Sequence, residues 1–263
     1  MTIDTDTTTN DRPSRTRRDP VTMWLLMVAG LVFLMVIVGG FVRLSRAGLS
    51  IVEWDVVVGV VPPIGDDAWQ AEFELYQQTP EYQLVNEGMS LSEFQYIFYL
   101  EWAHRLIGRI AGMLVIIPLI VFLVRGVLSV RESLKYWAIA ALFGIQGAIG
   151  WIMVASGLVD RPVVSDVRLT IHLLAAVTLM GLVLWMAMDR MARSAPPPPP
   201  LRSRALLPLA WTTLGFTVAQ VALGGIVAGL KAGHVSTTWP LMYGMWIPSN
   251  LTDDSADDVV QAI

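Results

Sequence analysis

Two histidines inside apolar segments are the side chains of this sequence best placed to do chemistry. His104 has Glu101 three positions before it and Arg105 directly after it, and His172 has Arg168 four positions before it. A neutral imidazole is a proton carrier and a metal ligand, a carboxylate accepts protons, and a guanidinium binds anions through paired hydrogen bonds. Ionisable groups inside apolar segments are costly, so these five residues predict a functional site.

The apolar segments around them predict an integral membrane protein. Of 263 residues, 54% are hydrophobic and only 15% are charged, and the mean hydropathy is +0.57. A membrane-spanning helix needs about 20 mostly apolar residues, and five segments meet that length: 24–42, 102–124, 136–159, 169–188 and 205–230. The absence of cysteine excludes disulfides and thiolate metal sites.

The distribution of charged residues predicts how these segments are oriented in the membrane. Arginine and lysine concentrate before the first span and in the second and fourth connections, whereas the first connection and the C-terminal tail are acidic. By the positive-inside rule, the N-terminus is cytoplasmic and the first connection lies outside. The predicted fold is therefore all-α, with the first four spans forming an antiparallel four-helix transmembrane bundle.

The chain contains a repeat with a displacement of 185 positions. Four pairs of residues define it: Gly39 and Gly224, Gly48 and Gly233, Trp54 and Trp239, Pro63 and Pro248. An even number of spans separates the two copies, so the fifth span begins a second, parallel copy of the bundle. The predicted domains are a disordered cytoplasmic tail (1–22), a four-helix half (23–195) with a long outer loop (43–100), a proline-rich cytoplasmic linker (196–204), and the start of a second half (205–263), which is expected to be incomplete.

Two short helices are predicted within the outer loop. Residues 66–76 carry aromatic residues at helical spacing after two aspartates, and Ser90 forms a capping box with Glu93. These helices either cover the outer mouth of the bundle or lie in the membrane interface as an aromatic belt.

The topology places the two histidines at similar depth. His104 is predicted in the first turn of the second span and His172 one turn into the fourth, and both spans run inwards from the outer face. Small residues follow each histidine on its own helix face: Gly108, Ala111 and Gly112, and Ala175 and Ala176. Two neutral imidazoles beside a flat gap are suited to a haem. Alternatively, the histidines bond neighbouring helices and the small residues serve close packing.

Three further polar residues belong to this hypothesis. Arg105 and Arg168 are candidates for pairing with haem propionates, although arginines at a membrane edge also extend to the interface without a ligand. Gln146, in the middle of the third span, is a polar group that needs a hydrogen-bonding partner.

Several of these segments resemble haem A synthases. The matching segments are Glu-Trp-Ala-His-Arg at 101–105, the stretches 146–158 and 164–173, the glycine pair at 39–40 with 43–50, and Trp-Pro-Leu-Met at 239–242. The cysteine-free first loop is similar to that of the proteobacterial and mitochondrial branch. The resemblance implies eight helices in two four-helix bundles, each with two haem-ligating histidines. It also implies oxidation of a methyl group of haem O to the formyl group of haem A for terminal oxidases.

The resemblance assigns roles to the residues of this chain. It maps the first histidine pair to His104 and His172 and an essential glutamate to Glu101. It implies haem O as the substrate of the first half and a haem b in the second half, whose histidines would stand near positions 289 and 357, beyond the last residue. The implied location is the bacterial inner membrane. The implied partners are haem O synthase, an electron donor such as a ferredoxin, membrane lipid and a second copy of the chain, with no nucleic acid.

Two other functions fit part of the pattern. A non-catalytic b-type cytochrome or haem carrier would use the same histidine pair, although it would not need a carboxylate beside the ring. A transporter would fit the parallel repeat, but its polar residues are expected near the midplane rather than at the outer face.

Overall fold

A computed structural model of the chain describes residues 19–53, 58–158, 164–193, 206–234, 238, 241–242 and 244–246. These ranges contain seven α-helices: α1 (Pro20–Leu44), α2 (Asp66–Gln77), α3 (Pro80–Leu84), α4 (Leu91–Val124), α5 (Val130–Ala155), α6 (Asp166–Arg193) and α7 (Leu206–Gly229). Helices α1 and α4 to α7 are long and apolar enough to cross a membrane, which confirms the all-α fold class and the five spans. The expected tail before 19, the whole linker at 196–204 and the acidic C-terminus lie outside the described residues.

Helices α1, α4, α5 and α6 form a closed four-helix bundle. Each of them contacts the next, and α6 returns to α1, while α7 packs on α6 outside this ring. Trp24 near the start of α1 contacts Phe122 at the end of α4 and Tyr136 near the start of α5, so successive helices run antiparallel. We call the end of the bundle at the start of α1 the basal end and the opposite end the loop end.

The basal end is held by a packed core and by one arginine. Val21, Leu25, Val115, Leu119 and Val183 are fully or almost fully buried there. Arg190 at the end of α6 pairs with Asp19, which caps α1, and with Glu132 in the first turn of α5 at 2.6 Å. The guanidinium group of Arg190 therefore links the end of α6 to the starts of α1 and α5.

A proline inside α4 explains one contact of this core. Pro118 has no backbone N–H, so the carbonyl of Leu114, four residues earlier, loses its helical partner. The indole of Trp24 donates a hydrogen bond of 2.7 Å to that carbonyl. A side chain from α1 thus satisfies the group that the proline leaves unpaired.

The loop end carries an aromatic cluster, and the predicted start of the second long helix was wrong. Helix α2 confirms the helix predicted at 66–76 and buries Trp69, Phe73 and Tyr76 against Phe94 and Phe98 of α4. The capping box at Ser90 is present, but it opens α4 itself, which runs unbroken into the span. The polar residues of its first turns lower the hydropathy but do not interrupt the helix. His104 consequently lies in the fourth turn of α4 rather than the first turn of a span.

A layer without buried residues separates the basal core from the loop-end cluster. No residue in 33–41 of α1, 102–110 of α4, 140–155 of α5 or 171–178 of α6 is buried, although buried residues lie on both sides in α1, α4 and α6. We call this the middle layer. Both histidines lie in it.

The repeat is visible in the backbone of α1 and α7. Helix α1 ends at Leu44 and α7 ends at Gly229, which are 185 positions apart. Arg46 and Lys231 share that displacement and are the two non-glycine residues with positive φ (52° and 53°) among the described residues. Arg43 Nη2 donates to the carbonyls of Ala228 and Gly229 at 2.7 and 3.1 Å, so both helices end at the loop end and run in the same direction.

Candidate functional site

The two histidines of the middle layer each lie against a glycine of a neighbouring helix. A Cβ on Gly39 of α1 would be 3.2 Å from His104 Nε2, and a Cβ on Gly150 of α5 would be 2.9 Å from His172 Cε1. Both imidazoles lie in the middle layer, His104 on α4 and His172 on α6. Four different helices therefore build one site, two by supplying imidazoles and two by making room for them.

Gln146 is the polar partner of His172. Its Nε2 donates to the backbone carbonyl of His172 at 2.9 Å and lies 3.2 Å from the ring Nδ1. The sequence predicted that this amide needs a partner, and the structure supplies it from α6. The amide oxygen Oε1 is buried and accepts no hydrogen bond, which leaves one acceptor of the site open to a ligand.

Glu101 is turned towards the connection after α1. It is 3% exposed, and its Oε2 accepts hydrogen bonds from Ser50 N and Oγ, both at 2.8 Å, and from Ile51 N at 3.0 Å. Its Oε1 pairs with Arg105 Nη2 at 2.5 Å. The carboxylate thus fastens residues 50–51 to α4 one helical turn from His104.

The two candidate arginines hold backbone carbonyls. Arg105 donates to Ile51 O at 3.2 Å in addition to its ion pair with Glu101. Arg168 is exposed and donates to Ile152 O of α5 at 3.2 Å. Both guanidinium groups lie on the loop side of the histidines. Arg168 is one turn before His172, and the Arg105 side chain extends back to Glu101 and Ile51.

A second buried carboxyl stands near Glu101. Glu81 of α3 is 5% exposed and accepts a long hydrogen bond of 3.4 Å from the hydroxyl of Tyr76. Burial, and next the charge of Glu101, raise the pKa of Glu81 to about 7. No sequence pattern indicated this residue, because α3 is only five residues long.

The structure adds two glycines to those that the sequence hypothesis named beside the imidazoles. Gly39 and Gly150 lie against the rings from neighbouring helices. The glycine pair at 39–40, which recurs at 224–225, was the signal that marked one of these positions. Ser50 was missed as a partner of Glu101, because a contact across 51 positions has no local pattern.

The residues of the middle layer fit a planar ligand held by two imidazoles. The layer combines imidazoles from α4 and α6 with glycines where the rings lie, and none of its residues is buried. Two imidazoles can serve as axial ligands of a haem iron. Within the described residues, no group of three or more His, Asp or Glu side chains could hold a metal ion.

Fold and site define a multi-pass helical membrane protein with a paired-histidine site in its bundle. Residues 22–259 match the family described as cytochrome oxidase assembly protein. The chain belongs to this family.

Several similar proteins are named haem A synthase. The chain is 47% identical over 235 residues to a protein of Maricaulis maris named "Heme A synthase", which covers 89% of this chain and 68% of that protein. It is 46% identical over 237 residues to a protein of the same name from Rhodopseudomonas palustris, which covers 90% of this chain and 64% of that protein. A Bradyrhizobium protein of that name is 45% identical over 236 residues, again covering 90% and 64%. The chain thus spans about two thirds of the length of these relatives, and no solved structure matches it significantly.

Proposed function

We propose that this protein is a membrane oxidoreductase that converts a methyl group of haem O to the formyl group of haem A, and that the four-helix half holds the substrate. The observation that carries the proposal is the placement of His104 and His172 in the same layer of one four-helix bundle, in a chain whose relatives are named haem A synthases. Membranes containing the complete protein and a source of haem O should yield haem A on pigment extraction. Accumulation of haem O alone would instead indicate a haem carrier or b-type cytochrome.

His104 and His172 are the proposed ligands of the haem iron. In His172→Ala, one axial ligand is lost, so the low-spin spectrum of a bis-histidine haem should be replaced by a high-spin one. Trp185→Phe is a matched control, because Trp185 lies on the same helix and is 68% exposed. A low-spin spectrum that persists in both His172→Ala and His104→Ala would refute this ligation.

Arg105 and Arg168 are the proposed partners of the haem propionates. Both guanidinium groups lie on the loop side of the histidines. Arg168 donates to the carbonyl of Ile152, and Arg105 donates to the carbonyls of Ile51 and Glu53 besides its ion pair with Glu101. Carboxylates are stronger acceptors than carbonyls for a guanidinium group. In this arrangement the propionates point to the loop end. Replacing Arg168 by Gln should weaken haem binding while leaving the low-spin spectrum of the bound fraction unchanged.

Glu101 is proposed to act on the carbon being oxidised, by stabilising positive charge or accepting a proton from attacking water. Its carboxylate is held by residues 50–51 and Arg105, so this role competes with a purely structural one. The variant Glu101→Gln distinguishes them. A catalytic role predicts normal haem binding with little haem O conversion, whereas a structural role predicts that haem binding and thermal stability fall together.

The proposed orientation places the basal end in the cytoplasm of a bacterial cell and the loop end outside the inner membrane. The supporting observation is charge: Arg125, Arg131, Lys135, Arg190 and Arg193 all lie at or near the basal end. Haem O synthase, an electron donor such as a ferredoxin, and a second copy of the chain are the proposed protein partners, and a haem b is proposed for the second half of the complete protein.

A further inference from the structure

An apolar groove runs along the outside of the bundle between α5 and α6. It has a volume of about 360 Å³ and is lined by four residues of α5, from Leu142 to Ile149, and six of α6, from Ile171 to Leu182. This volume lies within the range of pockets that bind small molecules. Ile145 and Ile171 on its walls are 53% and 48% exposed, so the groove is open on the side that faces lipid in a membrane.

The groove begins at the haem site. Gln146 lines it and also holds His172 through the hydrogen bond to its carbonyl. From that level the groove extends towards the basal end over about 16 Å of α6, given the rise of a helix per residue. A ligand in the groove would therefore be continuous with a ligand held by His172.

One polar atom at the junction needs a hydrogen-bond donor. Gln146 Oε1 is buried and accepts no hydrogen bond, and an unsatisfied buried acceptor is costly. The acyl chains of phospholipids carry no donor, so they would leave this oxygen unsatisfied. The site instead fits a long apolar chain with a hydroxyl group at the end nearest the haem.

We propose that this groove binds the hydroxyfarnesyl side chain of the haem substrate, with the hydroxyl group donating to Gln146 Oε1 and the isoprenoid chain lying between α5 and α6. The inference rests on the proposed function, because haem O carries such a substituent where haem B carries a vinyl group. It adds a recognition element that distinguishes the two haems and a lateral route by which the substrate enters from the bilayer.

Two leucine substitutions test the groove. The purified chain in detergent is titrated with haem O and with haem B, and the ratio of the two Kd values is compared between variants, so that partition of haem into the micelle cancels. Thr178→Leu narrows the groove about two turns from His172 and should reduce the preference for haem O roughly tenfold while haem B still binds as a low-spin complex. Ala148→Leu, which is exposed on α5 outside the groove, should leave the ratio unchanged.

The role of Gln146 Oε1 as a hydrogen-bond acceptor is tested by a separate substitution. Gln146→Met removes the amide oxygen at similar volume and should lower the preference for haem O about fivefold.

The possible results distinguish a failure of the groove proposal from a failure of the proposed function. If haem B binds to all variants as a low-spin complex and the ratio does not change, a lipid chain rather than the substrate fills the groove, and the inference is overturned while the histidine site stands. If neither haem gives a low-spin complex with the unaltered chain, the proposed function fails and the inference fails with it.

Discussion

Replacing Gly150 by alanine should weaken haem binding without weakening the fold. The new Cβ would lie 2.9 Å from Cε1 of His172 and 3.5 Å from its Nδ1, whereas carbon atoms pack at about 3.5 to 4.0 Å. The imidazole must therefore move by about 0.6 Å or more, and metal sites tolerate ligand displacements of only about 0.2 Å. We expect haem affinity to fall at least about tenfold, or about 1.4 kcal/mol. Helix propensity acts in the opposite direction, since alanine is favoured over glycine by up to about 1 kcal/mol.

The assay for Gly150→Ala is a haem titration followed at the low-spin absorption bands, together with thermal unfolding of the haem-free protein. Gly144→Ala is the matched control, because Gly144 lies on the same helix with no atom within 4 Å of the added Cβ. Gly39→Ala should have a smaller effect than Gly150→Ala, since its Cβ would lie 3.2 Å from His104 Nε2. Equal haem affinities for Gly150→Ala and Gly144→Ala would refute the argument that glycine makes room for the ligating imidazole.

Three further predictions concern stability. The carboxyl group of Glu81 keeps its proton to a pH of about 7 in the folded protein but loses it near pH 4.5 in the unfolded chain, so its contribution to stability falls as the pH rises between those values. Glu81→Gln should therefore raise Tm at pH 8 but not at pH 4. An equal effect on Tm at both pH values would contradict the assignment. Trp24→Phe should cost about 1 to 2 kcal/mol of unfolding free energy by leaving the carbonyl of Leu114 unsatisfied. The cost should largely vanish in a Pro118→Ala background, where the restored N–H satisfies that carbonyl, and a double-mutant cycle without coupling would rule this out. Arg43→Met removes two hydrogen bonds from a charged group to α7, so amide hydrogen exchange in the last turn of α7 should accelerate while that of α5 stays unchanged.

The fold could be predicted from sequence because its main signals are local. Runs of apolar residues fix the five spans, and a capping box fixes the first residue of α4. The start of α4 was misplaced because hydropathy measures transfer to lipid, whereas α4 begins in a segment that packs against α2. A helix that extends beyond the membrane leaves no mark in an apolar pattern.

The site could be predicted only in part. His104, His172 and Gln146 stand out because polar groups are rare within spans, and the structure brings all three to the middle layer. The contacts of Glu101 with Ser50 and of His172 with Gly150 depend on how separate segments pack. Such contacts depend on tertiary structure, so no periodic pattern in the sequence predicts them.

The position of the middle layer between two packed regions has a consequence for the order of assembly. The basal core and the aromatic cluster each join helices, and neither includes a histidine. The helices can therefore be held in register from both ends without a ligand between the histidines. If the proposed haem binds there, its loading would follow membrane insertion and would change the centre of the bundle while both ends stay in place.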